Sequence, residues 1–452
     1  MFASLPRTGW RLPATAILIA CCGSSAALAE GFRIQEYSAR DLGLANSGNA
    51  ALAADASTVF SNPAGLPQLD GRQVNLGVHG ILGSGEFTNQ GSVDALGNPL
   101  SGGNGGDLFS NAAIPNAYYA QPIGDGRFWF GLGVTAPFGL TTDYDENWVG
   151  RYQTLESELT AIDINPSLGF VVTDWLSLGV GVSAQYVDVK LSNAIDFGAV
   201  CLSQVEPVAP GTCTALGTLP QQADGAVSLE GDDWTLGYNL GALFTLTDAT
   251  RIGVSYRSAI DHELEGDADF QVPAAMAGLL DPAFTDSAAT APLNLPARAS
   301  VSLHHQATER LALTADASWS QWERFDGIVV DFDNPAQPDS VETLNYNNTM
   351  RYSVGAEYAI DTAWTVRGGF AIEETPTASD TRSPRVPDAD RTVAAIGASW
   401  SPREDVTVDA GYQHIFFDEA EISETGSGGD TLIGVYDDNA ADLVAIGVNW
   451  RF

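Results

Sequence analysis

From about residue 72 to the C-terminus the chain alternates apolar and polar positions with period 2, the spacing of strands that show one face to each of two environments. At the end of the chain Val444, Ile446, Val448, Trp450 and Phe452 fall on one face, and Ala445, Gly447, Asn449 and Arg451 on the other. Trp234, Leu236, Tyr238, Leu240 and Phe244 oppose Thr235, Gly237, Asn239, Gly241 and Thr245 in the same way, and Val406, Val408, Ala410 and Tyr412 oppose Thr407, Asp409, Gly411 and Gln413. The connections sort by length. Gly124-Asp125, Thr173-Asp174, Asp248-Ala249, Thr308-Glu309, Asp361-Thr362 and Pro402-Arg403-Glu404 read as tight turns, whereas 84–111, 143–156, 192–231, 267–293, 323–343, 376–389 and 418–440 read as long loops. Seven loops alternating with six turns predict 14 antiparallel strands, an even count that returns both ends of a closed sheet to one side.

Periodicity alone does not say which face points inward. The orientation follows from three further features: Trp and Tyr near the strand ends, as in an aromatic girdle; an export signal; and a terminal aromatic after an alternating strand, Trp450 and Phe452, resembling the assembly signal of outer-membrane barrels. The export signal is a charged stretch with Arg7 and Arg11, an apolar run Leu12 to Cys22 and a small-x-small site Ala27-Leu28-Ala29. This makes 1–29 a signal peptide and Glu30 the first mature residue. Leu18-Ile19-Ala20-Cys21 offers a competing reading as a lipoprotein box. No later stretch approaches the roughly 18 apolar residues a membrane helix requires, so any crossing must use strands. The expected architecture is an all-β, 14-stranded antiparallel transmembrane β-barrel over 71–452, in the Gram-negative outer membrane. Residues 30–70, rich in Gly, Ala, Ser and Asn and broken by Asn62-Pro63, do not alternate. Too polar to face lipid, they either hang in the periplasm or fill the lumen as a hatch.

Charge and composition narrow the function. The net charge is -37 and the only lysine is Lys190, so there is no basic stripe and no nucleic-acid partner is expected. Two cysteines remain after processing, Cys201 and Cys213, and an even pair in an exported chain points to a disulfide in the third extracellular loop. His304-His305 lies in a strand, where neighbours face opposite ways, so it makes a poor chelate. Asp261, Glu263, Glu265, Asp267 and Asp269 read as solvated surface, with calcium binding or divalent bridging to lipopolysaccharide as the alternative. No catalytic cluster stands out, and neither an enzyme, a metal nor a cofactor is expected. Within the third strand, Pro137 interrupts the ladder and Gly139 follows, marking a bulge or a kink around Phe138.

The mature N-terminus, Gly31-Phe32 through Leu42-Gly43, Ser47-Gly48, Ala53-Ala54-Asp55-Ala56 and Asn62-Pro63-Ala64-Gly65-Leu66, resembles the hatch of the FadL family of long-chain fatty acid and hydrocarbon transporters. Similar stretches follow at Trp148-Val149-Gly150-Arg151-Tyr152, Leu293-Asn294-Leu295-Pro296, Ser318-Trp319-Ser320-Gln321-Trp322 and Val386-Pro387-Asp388-Ala389-Asp390-Arg391. The resemblance implies a monomeric barrel plugged by its N-terminus, with Phe32, Asn62, Pro63 and Ala64 in the hatch. It also implies that apolar ligands leave sideways where Pro137, Phe138 and Gly139 kink the wall. Such a route spares an acyl chain the aqueous periplasm, at about 0.8 kcal/mol per CH₂. The expected partners are a hydrophobic small molecule, outer-membrane lipid with lipopolysaccharide, and the barrel assembly machinery. Fatty acid carriers of this kind have two cations for the headgroup, and the best-matched positions hold Asn193 and Asp326 instead. Lys190 and Arg324 are nearby substitutes. Passive uptake of long-chain fatty acids is thus the leading expectation, with aromatic or aliphatic hydrocarbons, or a general aqueous porin, as alternatives.

Overall fold

The computed structural model describes residues 30–280 and 282–452; the expected signal peptide, 1–29, and with it Cys21, lies outside the described residues. Alternation is realised as a closed barrel. Its first seven strands are β1 (Gln73–Asn89), β2 (Ala112–Ile123), β3 (Phe128–Thr135, resuming at Gly139–Asp143), β4 (Glu156–Thr173), β5 (Leu176–Asp196), β6 (Asp224–Thr247) and β7 (Thr250–Arg257, then Ile260–Gln271). The second seven are β8 (Ser287–Leu295, then Arg298–Gln306), β9 (Leu311–Ser320), β10 (Thr349–Ala359), β11 (Trp364–Glu373), β12 (Arg391–Arg403), β13 (Val406–Phe417, then Ala420–Thr425) and β14 (Thr431–Arg451). Each pairs antiparallel with the next. The last strand returns to the first in register from Gln73↔Arg451 to Asn89↔Gly434, which closes the sheet into a barrel.

The apolar face points outward. Val444, Ile446, Val448 and Trp450 are 40–54% exposed, whereas Ala445 and Asn449 are buried, the reverse of a soluble barrel and the arrangement lipid demands. Near the short turns, Phe128, Trp175, Trp364, Trp400, Trp450 and Phe452 lie exposed at one level of the wall, forming an interfacial belt.

Several expected loops are shorter than the residue types suggest. β5 and β6 stay paired to Asp196↔Asp224, and the final hairpin reaches Thr425↔Thr431, so the 418–440 loop shrinks to a tip at 426–430. Polarity misled here because strands that rise above the membrane face water on the outside. Asp188, Glu230 and Asp232 are outward carboxylates of a ladder that continues unbroken. The connection between β9 and β10 likewise carries a small hairpin, Gly327–Phe332 with Ser340–Thr343.

Residues from Glu30 onward fold inside the barrel as a hatch of short turns: α1 (Ala39–Leu42), α2 (Asn49–Leu52), α3 (Thr58–Ser61) and a 3-10 turn, Pro63–Gln68. Helices this short have no stability of their own and depend on the wall. The wall is cut to fit. A Cβ on Gly179 would run into Pro63 and Ala64, on Gly241 into Asn62, on Gly253 into Ala50, and on Gly369 into Leu44. Charges complete the seal: Arg40 pairs with Asp41 and Glu357, both at 2.8 Å, and Arg367 with Glu357 at 3.1 Å and Asp409 at 3.3 Å.

Candidate functional site

The site begins where the wall fails. β3 pairs with β2 only as far as Val134↔Ala117 and stops at Thr135; when it resumes at Gly139 it pairs with β4, and on its other side meets only the loop before β2, through a bridge from Thr142 to Phe109. Among the described residues, β2 between Ala112 and Asn116 therefore has β1 on one side and no strand on the other. Pro115 lies in this stretch, a residue with one donor fewer to satisfy. The backbone freed at the break turns inward and is taken up by the hatch. Ile34 N donates to Pro137 O at 3.0 Å, Gly139 N donates to Phe32 O at 3.0 Å, and Arg33 pairs with Phe138 as an antiparallel bridge. Hatch residues 32–34 thus act as a short replacement strand inside the gap.

Above this stitch lies a cavity whose surface is almost wholly apolar. Leu140, Leu159, Val189, Leu264, Leu293 and Val386 help to line it. Phe32 reaches it from the hatch and is held by aromatic contacts with Trp322 at 4.8 Å, Phe325 at 5.4 Å and Phe138 at 6.1 Å between ring centres. One cation, Arg385, borders the cavity, whose lining also includes the acids Glu158, Glu230 and Asp267. Its guanidinium is paired with Glu342 at 2.9 Å and donates to Thr154 and Ser157 and, at 3.4 Å, to Asn193 Oδ1. Nearby, burial and the negative charge of Glu342 push the Glu424 carboxyl well above its ordinary range.

The expected headgroup cations lie elsewhere. Lys190 is paired with Glu156 at 3.0 Å and Arg324 with Asp261 at 2.6 Å, both are about a third exposed, and neither borders the cavity. Lys190 shares its parity along β5 with the lipid-facing Val180 and Val182, so its side of the wall could have been counted from the sequence. Asn193 has the opposite parity. Where the resemblance implies an arginine, this chain has a carboxamide that meets an arginine supplied by a loop. Arg385 itself carried no sequence signal, because nothing in a loop's composition states where its side chains go.

The structure places the other expected residues as follows. Asn62 is fully buried; its Nδ2 donates to Ala50 O at 2.7 Å and Ala242 O at 3.2 Å, and its Oδ1 accepts from Ala64 N at 3.0 Å. One amide thereby ties a hatch turn to both the hatch and the wall, and Pro63 opens the 3-10 turn that follows. Cys201 and Cys213 are bonded within the loop after β5, over a buried cluster that includes Phe197 and Met276. Asp261, Glu263, Glu265, Asp267 and Asp269 alternate onto the exposed side of β7. Two further interruptions went unread: β7 breaks at 258–259 and β8 at 296–297, at Pro296.

A family-wide sequence model described as "Outer membrane protein transport protein (OMPP1/FadL/TodX)" matches residues 20–452. The chain is 28% identical over 414 residues to the long-chain fatty acid transport protein of Escherichia coli O6:H1, covering 89% of this chain and 90% of that protein. It is 28% identical over 464 residues to outer membrane protein P1 of Haemophilus influenzae, covering 98% of each. Among solved structures, a Pseudomonas aeruginosa FadL homologue superposes with a TM-score of 0.85 at 26% identity, over 93% of this chain and 100% of that one. The Ralstonia pickettii toluene transporter shares the fold, with a TM-score of 0.65 at 22% identity over 94% of this chain and 99% of that one.

Proposed function

The chain belongs to the OMPP1/FadL/TodX family of outer membrane transport proteins, and from that premise we propose that it takes up long-chain fatty acids by passive diffusion and releases them sideways at Pro137, Phe138 and Gly139. The carrying observation is an apolar cavity that ends on a single guanidinium, Arg385. An acyl chain matches the lining, and a carboxylate matches the fork of an arginine. Arg385 takes the headgroup role in place of Lys190 and Arg324. The paired Glu342 carboxylate is then the group that an incoming headgroup displaces. Phe32 sits between this cavity and the wall break, so withdrawal of the hatch N-terminus would join the two. The protein works as a monomer without a catalytic step, and Trp450 and Phe452 present the terminal aromatic signal to the barrel assembly machinery.

A second reading has its own observation. With Glu342 in place Arg385 is already neutralised, and the cavity then offers a hydrocarbon an essentially apolar room. The two separate in one experiment on the purified full-length protein in nonionic detergent: binding of palmitate and of hexadecane, in the native chain and in Arg385→Gln. The fatty acid reading expects palmitate affinity to fall roughly tenfold, about 1.4 kcal/mol, with hexadecane unaffected. Tighter binding of hexadecane than of palmitate by the native chain, with no effect of the substitution, establishes the hydrocarbon reading instead.

A further inference from the structure

A second, small cavity lies on the other side of the hatch strand. Phe32 borders the apolar cavity; Arg33 and Ile34 border this one. Its lining is of a different kind, with three arginines, Arg33, Arg257 and Arg298, together with Tyr37, Ser300 and Asp316. Arg257 is neutralised by Asp163 at 3.0 Å, and Asp316 accepts a hydrogen bond from Ser302. The other two arginines have no such partner. Among the described residues neither Arg33 nor Arg298 has a carboxylate within ion-pair distance.

What they have is neutral. Arg298 donates to Gln35 Oε1 at 3.1 Å and to Ser318 Oγ at 2.9 Å. Arg33, only 3% exposed, donates one N–H to Pro296 O at 3.1 Å and lies 4.8 Å from the centre of the Phe138 ring, while its buried Nε–H has no acceptor. Glu30, the acid whose charge acts on Arg33, is occupied by Thr349 and Gln35. Burial, and after it the positive charge of Arg298, push Arg33 down to about 9. A buried guanidinium with an idle donor and no counter-ion is costly in an isolated protein, and the cost is removed by an anion that reaches both arginines. Arg33 is also the residue that joins the two breaks in the wall, through Phe138 on β3 and Pro296 on β8.

We propose that Arg33 and Arg298 form a second anion site, beneath the apolar cavity and behind the wall break, whose ligand is a carboxylate. The idea that this carboxylate belongs to an amphiphile rests on the transport reading above; the anion site itself does not. In that sequence a headgroup leaves Arg385, passes Phe32 and is held at Arg33 and Arg298 while its acyl chain lies toward the gap at Pro137 and Gly139. The fork of Arg33 then exchanges Pro296 O for the carboxylate, which frees the β8 break at the moment the ligand arrives.

The test uses the full-length protein in nonionic detergent and three probes: laurate, 1-dodecanol with the same chain and no charge, and acetate as the anion alone. Binding is measured calorimetrically for the native chain, Arg298→Gln, Arg33→Gln and Arg298→Lys. The expected result is a tenfold or greater loss of laurate affinity in both Gln variants, partial recovery in Arg298→Lys, and unchanged dodecanol affinity. Acetate binding that disappears in both Gln variants, without laurate binding to the native chain, supports a site for a free anion and overturns the transport reading. Equal loss of laurate and dodecanol, or undiminished laurate binding in Arg298→Gln, overturns the site. Arg33→Gln is at risk of unseating the hatch, whereas Arg298 belongs to the wall. Gel mobility of the folded barrel in both variants therefore accompanies the measurement, and Arg298→Gln alone decides if Arg33→Gln fails to fold.

Discussion

The floor and the upper chamber of this barrel share one wall and are built on opposite principles. The floor is closed by polar fit: Gly241 and Gly253 make room for hatch backbone, Asn62 pins a turn to Ala242, and Arg40, Glu357, Arg367 and Asp409 form a continuous charged seam. The chamber is closed by aromatic and aliphatic packing of Phe32, Trp322, Phe325 and Leu293 around empty space. An apolar solute loses nothing by entering the chamber, but passing down through the floor would break buried ion pairs that leave uncompensated charge behind. The gap beside Phe138 lies at the boundary between the two, where the proposed exit opens. The contrast therefore supports the proposed sideways route, which needs no moving part beyond the hatch N-terminus.

The strongest way to break this contrast is to remove the floor. Deleting residues 31–66 should turn a closed barrel into an aqueous pore with a large rise in planar-bilayer conductance, and it should lower the selectivity of uptake. A gentler variant, Gly369→Leu, forces a side chain against Leu44 in the hatch and should give frequent open events at a cost of about 1–3 kcal/mol. Conductance unchanged by either would mean that the seal lies elsewhere.

A smaller effect should follow from mending the wall. Pro137→Val restores one donor, and Gly139→Leu fills the gap with side chain. Uptake of long apolar substrates should fall severalfold while the amount of folded barrel at the surface stays the same and conductance remains closed. Full transport by the double variant at equal surface level would send the substrate through the floor after all.

Both regions were unequally legible in the sequence. Strand faces were readable because two solvents impose period 2, and Val444 or Leu236 obeyed it without reference to any partner. The break at Pro137 was readable because proline lacks a donor, and parity would have moved Lys190 to the outer face. The chamber was not readable at its decisive point. Arg385 arrives from a loop, and only the folded wall brings Thr154, Ser157 and Asn193 to it. The long polar stretches on either side of 197–223 failed for a related reason, since residues of one composition serve loops and the water-facing sides of extended strands alike.

The smallest expected effect sharpens the floor's dependence on charge. Glu36 is a hatch residue, 3% exposed, whose Oε2 accepts from Gln35 N at 2.8 Å. Burial, reinforced by the negative charge of Glu373, pushes its carboxyl up to about 7 from an ordinary 4.5. The seated hatch thus holds a proton that the unseated hatch, open to water, releases more readily. The sign follows by linkage: the contribution of Glu36 to seating is fully present below about pH 4.5, declines as pH rises through about 7, and is flat above that. At about 1.4 kcal/mol per unit, the rise from 4.5 to about 7 limits the whole swing to about 3 kcal/mol. Hydrogen exchange of amides 31–66 between pH 5 and 8.5, corrected for its intrinsic pH dependence, should show protection falling across this window in the native chain and staying level in Glu36→Gln. The extracellular acid Glu424 is also pushed well above its ordinary range, so the readout has to be confined to hatch amides, which global melting cannot do. A Glu36→Gln chain with the native slope would place the pH dependence in another carboxyl of the seam, Asp41 first, since burial pushes it up to about 6 against the opposing charge of Arg40.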